Sequence, residues 1–260
     1  GVISSMFFVG LMVGAYRSPK LAQRIGYIRS YTFFAAFITL AVLIQGMSSN
    51  MWVWLVARFA SGYAFAGLFV VLESWILHST SRDMKGRMLA VYLLSYYIAQ
   101  SSGQLLLNIP FEHSIFIFCL IAAFSAASIL PVSATRFSEP KLIEQALTSP
   151  KVIWKKAPLG LIGGFASGIL LGSIYSIYPL YLQQANMDTS RIAWIMFATI
   201  FGGALLQYPI GKFSDMIDRR KILLLVLLLS GLLLSGLYFT FQLPLIILCT
   251  FIMGGFIFAI

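Results

Sequence analysis

Residues Gly211–Lys221, GKFSDMIDRRK, form a short charged stretch between two long apolar runs. Residues Pro19–Arg29, PKLAQRIGYIR, hold the same place between another pair of apolar runs, at an offset of 192 residues (211 − 19). At that offset Phe213 answers Leu21, Asp215 answers Gln23 and Lys221 answers Arg29. Two copies of one loop imply two copies of one half. Internal duplication is a common way to build a membrane transporter around a central pathway.

Composition agrees with a lipid environment. Hydrophobic residues make up 60% of the chain and charged residues 10%, against roughly 25% charged in a soluble domain. The expected class is therefore all-α integral membrane, a polytopic helical bundle. The net charge of +10 does not point to nucleic acid, because the charges sit between the apolar runs and not on one face. Cys119 and Cys249 lie inside apolar runs, where a thiol acts as a packing group. No disulfide, metal site or cofactor is read.

A bilayer core about 30 Å thick needs roughly 20 apolar residues at 1.5 Å each. On that ruler nine candidate spans appear, at about 1–16, 30–47, 51–77, 87–107, 114–134, 158–182, 190–210, 222–240 and 244–260. The first and last are short and open directly on the chain ends, so the sequence reads as a fragment. A signal peptide over residues 1–16 is the weaker alternative, since no basic segment precedes them. Basic residues collect in the loops after the first, third, fifth and seventh runs, whereas loops 48–50, 108–113, 183–189 and 241–243 contain neither Lys nor Arg. Lys and Arg accumulate on the cytoplasmic side, which puts residue 1 outside and residue 260 in the cytoplasm. The longest loop, 135–157, carries Pro140, Pro150 and mixed charge, with an amphipathic piece near Leu142–Leu147. It suits a cytoplasmic linker between a first half, 1–134, and a second half, 158–260.

On the two charged stretches the chain resembles the major facilitator superfamily. Its signature loop reads roughly Gly-x-x-x-Asp-Arg-x-Gly-Arg-Lys-Arg and recurs more weakly in the second half. The second copy here keeps Gly211, Asp215, Arg219, Arg220 and Lys221, with Asp218 in place of the second Gly. The first keeps Leu21, Arg24, Gly26 and Arg29, with Pro19 for Gly and Gln23 for Asp. Arg58, Gly62 and Gly67 in ARFASGYAFAG resemble the family's fourth-span motif, and Glu73-Ser74-Trp75 is similar to a bacterial subfamily. The resemblance implies two pseudo-repeated six-span halves, of which spans two to ten are present. It also gives Gln23, Arg24, Gly26, Arg29, Gly211, Asp215, Arg219 and Arg220 the role of gating loops. The Gly-Pro motif of drug and proton antiporters is absent, since Ala99–Gln104 reads AQSSGQ.

A charge at mid-membrane costs about 2.5–3.5 kcal/mol on insertion scales, and Arg58 and Glu73 stand inside an apolar run. Arg58 reads as a pathway cation or as an arginine bonded to helix carbonyls. Glu73 reads as a gate or proton-site acid, or as a partner of Lys20, Arg24 or Arg82. Tyr92, Tyr96, Gln100, Gln104 and Asn108 form a polar row at every fourth position, so one face of that helix meets protein or water. The row reads as substrate pathway or as interhelical hydrogen bonding. Gly160, Gly164, Gly168 and Gly172 strip one face of the following half's first span, which suits close packing or sliding. Tyr175 follows them and reads with Tyr178 as facing the pathway, with Pro179 as a kink. His78 and His113 are expected at span ends, and Asp188 and Arg191 as a surface pair.

The expected function is a secondary transporter of a small molecule, with protons as the candidate coupling ion, working as a monomer in a bacterial inner membrane. A non-transporting sensor or decayed facilitator is the alternative. A membrane enzyme would need a catalytic cluster that the sequence does not hold.

Overall fold

The computed structural model describes residues 1–111, 113, 115–134, 152, 154, 158–216, 225, 228–229, 231–232, 235 and 242–258. All its described elements are helical. They are α1 (Val2–Ile25), α2 (Tyr27–Met47), α3 (Met51–Ser79), α4 (Lys85–Leu105) with a 3₁₀ turn at Leu106–Asn108, α5 (Ile115–Ala127) and α6 (Ile129–Ser133). After the linker come α7 (Pro158–Ser176), α8 (Tyr178–Gln184), α9 (Thr189–Met216) and α10 (Leu243–Ile257). In lipid only a helix satisfies its own backbone groups along a single apolar segment, and the runs behave accordingly.

Among the described residues five stretches are long and apolar enough to cross a bilayer: Tyr27–Met47, Met51–Ser79, Ile115–Ser133, Ile162–Gln184 and Thr189–Gln207. Leu243–Ile257 is apolar but shorter. The expected nine are thus not all met by this criterion, because α1 carries Arg17, Lys20 and Arg24 in its last third and α4 carries its polar row. Candidate span 222–240 and the linker at 135–157 fall almost wholly outside the described residues, as do Arg219 and Arg220.

The first charged stretch corrects one expectation. It is not a loop: α1 runs through Pro19 and the basic residues to Ile25, and α2 begins at Tyr27. Gly26 alone makes the turn, at φ 89, with its N–H donating to Ala22 O at 2.9 Å. That left-handed φ is open to glycine at little cost. Lys and Arg are good helix formers, so the helix continues until a residue can reverse it. In the second copy the backbone of Gly211–Met216 likewise belongs to α9.

Contacts divide the chain into one unit of Gly1–Leu89 and Phe111–Ala146 and another of Ala90–Pro110 and Leu147–Ile260. In the first unit α1 crosses α3 with backbone against backbone. A Cβ added to Gly10 would collide with Phe59 O, and one added to Gly62 with Phe7 O; Gly14 lies on Tyr63. Alongside, α2 packs on α3 through Tyr31, Phe34, Ala35, Ile38, Ala64 and Val71, with Phe34 over Gly67. Gln45 Nε2 donates to Ser61 Oγ at 3.0 Å within this interface. Ser125 Oγ of α5 donates to Ala35 O at 3.1 Å.

In the second unit α9 crosses α10 the same way. A Cβ at Gly202 would collide with Phe251 O and one at Gly254 with Thr199 O. Gly10 and Gly202, Phe59 and Phe251, Gly62 and Gly254, Phe7 and Thr199 each differ by the loop offset of 192 (202 − 10, 251 − 59, 254 − 62, 199 − 7). The duplication read from two loops therefore reappears as two helix crossings with the same positions in register. Small residues let helix backbones approach in lipid, where carbonyl contacts to Cα–H groups add a little attraction. Beside the crossing, α7 and α8 bury Ile174 and Leu182 against Ile195, Met196, Ile246 and Met253.

Candidate functional site

The polar row on α4 is half-buried at Tyr92, Tyr96, Gln100 and Gln104, whereas Asn108 is exposed in the 3₁₀ turn. Its central member has a specific partner. Tyr175, the next-to-last residue of α7, donates its hydroxyl to Gln100 Oε1 at 3.1 Å. Tyr175 also meets the ring of Phe258 edge-on at 6.2 Å between centroids. Tyr97 meets the same Phe258 ring at 5.2 Å, and Tyr96 lies against Tyr97 at 5.3 Å. Edge-to-face pairs of this kind are worth about 0.5–1.5 kcal/mol beyond burial. The structure thus brings together Tyr96, Gln100 and Tyr175 from the sequence-based set and adds Tyr97 and Phe258. Tyr97 stood three residues from Gln100, so a helical i, i+3 search would have found it. Phe258 gave no local signal inside its apolar run.

Tyr175 is positioned by a break. Helix α7 stops at Ser176 and α8 starts at Tyr178, with Pro179 in its first turn. Pro179 has no N–H to give the preceding turn, and the helix is interrupted at Ile177, two residues before it. Ile177 N–H still donates to Ser173 O at 2.8 Å and Tyr181 N–H to Ile177 O at 2.9 Å, so the two helices nearly continue one another.

On the first unit Arg58 is half-buried in α3. Its guanidinium carbon lies 5.8 Å from the Trp54 ring centroid, and its Nε has no hydrogen-bond partner among the described residues. Trp54 is fixed in turn by donating Nε1–H to Ser48 O at 2.6 Å and by standing edge-on to Phe118. A cation held by a ring face keeps its donors available, unlike one bonded to carbonyls. Glu73 is half-buried on the same helix. Its expected pairing with Lys20, Arg24 or Arg82 is not formed: the ion pair among the described residues is Arg191 Nε to Asp188 Oδ1, 3.2 Å, at the surface. His78 closes the end of α3, with Nδ1 donating to Ser74 O at 2.6 Å and its ring stacked on Tyr27.

Of the gating set, Gln23 is half-buried, Arg24 and Arg29 are exposed, and Gly26 is the turn itself. Gly211 and Asp215 lie on the α9 backbone. The glycine row on α7 shows no close approach among the described residues. Nothing among the described residues comes within 4 Å of a Cβ placed at Gly160, Gly164 or Gly168, and these three are exposed, with Gly172 half-buried. Among the described residues the close backbone approaches are those of the two crossings. A cavity of about 540 Å³ between α2 and α3 has walls such as Phe37, Ile44, Val53 and Ala57 and offers no polar group to a solute.

The family model described as Major Facilitator Superfamily matches residues 1–260. An MFS-type transporter of Escherichia coli, YcaD, described as uncharacterized, is 34% identical over 226 residues, covering 86% of this chain and 59% of that protein. The MFS-type transporter YE1530 of Yersinia enterocolitica, also uncharacterized, is 32% identical over 225 residues with the same coverage. The chain therefore spans about three fifths of the length of these relatives. In fold it is similar to a crystal structure of a D-xylose-proton symporter, with TM-score 0.70 and 11% identity, over 99% of this chain and 68% of the other.

Proposed function

The chain belongs to the major facilitator superfamily, and from that premise we propose that it is a secondary transporter moving a small solute by alternating access. The observation that carries the proposal is the Tyr175–Gln100 hydrogen bond. It ties α4 to α7, helices that the sequence boundary at 135–157 assigns to different halves. Interhelical hydrogen bonds in a bilayer are worth about 0.6–2 kcal/mol. A bond of that strength can be exchanged for one to a solute and re-formed on each cycle.

The chemistry available is neutral. Gln100 and Gln104 offer amide donors and acceptors, Tyr96 and Tyr175 offer hydroxyls, and the rings offer faces. A solute is recognised there by hydrogen bonds and stacking. Arg58 adds a cation on the first unit, with a buried Nε that has no hydrogen-bond partner among the described residues, and Glu73 is the carboxylate that would carry a coupled proton. Gln23, Arg24, Gly26 and Arg29, with Gly211, Asp215, Arg219 and Arg220, gate the ends, and the Gly26 turn is where α1 and α2 change their angle. The protein acts as a monomer in a bacterial inner membrane, with residue 1 outside and residue 260 inside. The fold neighbour's sugar does not transfer to this chain at 11% identity.

A thermal-shift screen of the purified chain against small solutes identifies a ligand, and Gln100→Ala and Arg58→Ala then test the site. Loss of one such interaction weakens binding by about 3- to 30-fold. Unchanged affinity in both variants removes the proposed site.

A further inference from the structure

Phe258 caps α10, and its backbone is tied to the helix crossing: its N–H donates to Gly254 O at 3.0 Å, and Gly254 is the glycine that rests on Thr199 O. The side chain is buried and lies over Gly203 of α9, where an added Cβ would stand 2.7 Å from the ring. The same ring meets Tyr97 of α4 edge-on at 5.2 Å and 77°, and Tyr175 of α7 at 6.2 Å and 71°. One aromatic ring thus joins four helices of the second unit beside the Tyr175–Gln100 hydrogen bond.

A tyrosine hydroxyl stands at the far end of a side chain with two torsions, so a small rotation of the ring carries it out of hydrogen-bond range. Edge-to-face packing restrains that rotation. The 192-residue counterparts of Gly203 and Phe258 are Leu11 and Ala66 (203 − 192, 258 − 192). In the first copy the bulk therefore sits on the opposite helix, and no ring stands at this place. The shared crossing accounts for the backbone at Phe258 but not for its ring, which belongs to the copy that holds the Tyr175–Gln100 bond. We infer that Phe258 is a positioning residue of the solute site. It holds Tyr175 at the angle from which the hydroxyl reaches Gln100, and the bare Cα of Gly203 seats it. Because Tyr97 packs on the same ring, α4 and α7 are both referenced to one point on α10. The inference rests on the reading of Tyr96, Gln100 and Tyr175 as the site and names the residue that orders it.

The test needs no solute. A fluorotyrosine with its fluorine ortho to the hydroxyl replaces Tyr175 in the full chain, and fluorine NMR in detergent reads the resonance with and without Gln100→Ala. In the wild-type background Gln100→Ala shifts the resonance, because the hydroxyl beside the fluorine loses its acceptor. Gly203→Leu with Phe258→Ala installs the residues of the first copy and roughly keeps the volume at the crossing. This swap unfolds cooperatively close to the wild-type midpoint, yet its Gln100-dependent shift is lost. Phe258→Leu keeps most of the bulk without the aromatic edge; it loses the shift as well, and it decides the matter if the swap does not fold. Ile246→Ala, a loss of buried bulk elsewhere on α10, keeps the shift, which separates positioning from general loosening. A shift that survives in the folded swap or in Phe258→Leu, or one that is lost equally in Ile246→Ala, would overturn the inference. So would a wild type with no Gln100-dependent shift, since the bond to be ordered is then absent. Failure of the site reading shows separately, as unchanged solute affinity in Gln100→Ala.

Discussion

The α1–α3 and α9–α10 crossings share a backbone arrangement and differ in the side chains beside it. In both, a glycine on each helix rests on a carbonyl of the other, at positions 192 residues apart. Next to that contact the bulk changes sides. Gly14 lies on Tyr63 in the first crossing, whereas the counterparts are Leu206 on Gly255 in the second. Phe258 fills the space at Gly203, where the matching residues are Ala66 and Leu11. A carbonyl cannot be moved without moving a helix, but a side chain can be exchanged for one on the facing helix if the total volume is kept. The difference also carries chemistry. At the position of Arg58 the second copy has Thr250, buried and bonded through Oγ1 to Ile247 O at 3.0 Å, so only the first copy places a cation there.

Four sets of substitutions break or sharpen this comparison. Gly62→Leu and Gly254→Leu drive side chains into carbonyls and have the largest effect, about 3 kcal/mol or more each given that ordinary overpacking costs 1–3. Thermal unfolding in detergent should show matched losses, and tolerance at one site alone would mean that the crossings are not equivalent. Gly255→Tyr follows, costing about 1–3 kcal/mol against Leu206. Adding Leu206→Gly recreates the Gly14–Tyr63 arrangement and should recover most of it, as a coupling in a double-mutant cycle; strictly additive losses would refute the exchange of bulk. Tyr175→Phe removes one interhelical hydrogen bond while keeping the ring on Phe258, for about 0.6–2 kcal/mol. Its stability loss should vanish in a Gln100→Ala background. Smallest is Gly164→Ala with Gly168→Ala, which meets no neighbour among the described residues and should stabilise by up to about 1 kcal/mol per site through helix propensity. A clear loss of stability would place a helix against that face.

The bundle was readable because lipid imposes its demands locally: a long apolar run must be a helix, and basic residues must leave the bilayer. The duplication was readable for a related reason, since the charged stretches are rare enough to align by eye. Contacts were harder. The row from Gly160 to Gly172 shows a smooth face but not what lies on it, whereas Gly10, Gly62, Gly202 and Gly254, less regular in spacing, meet backbone carbonyls among the described residues. Applying the 192-residue offset to the glycines themselves would have found them. Tyr96, Gln100 and Tyr175 were accessible from the rule that amides and hydroxyls avoid lipid. Phe258 was not, because one aromatic in an apolar run resembles any other. The continuation of α1 to Ile25 was hidden by reading charge as the end of a helix, when only Gly26 could turn the chain.

The account depends most on two copies crossing the membrane in the same direction. Single cysteines at Asn50, Gln242, Lys85 and Arg220, in a chain with Cys119→Ser and Cys249→Ser, can be probed in intact cells with a maleimide that does not cross the bilayer. Labelling at Asn50 and Gln242, the matching starts of α3 and α10, with none at Lys85 and Arg220 until the cells are opened, is the predicted result. Reaction of Lys85→Cys or Arg220→Cys from outside would contradict it.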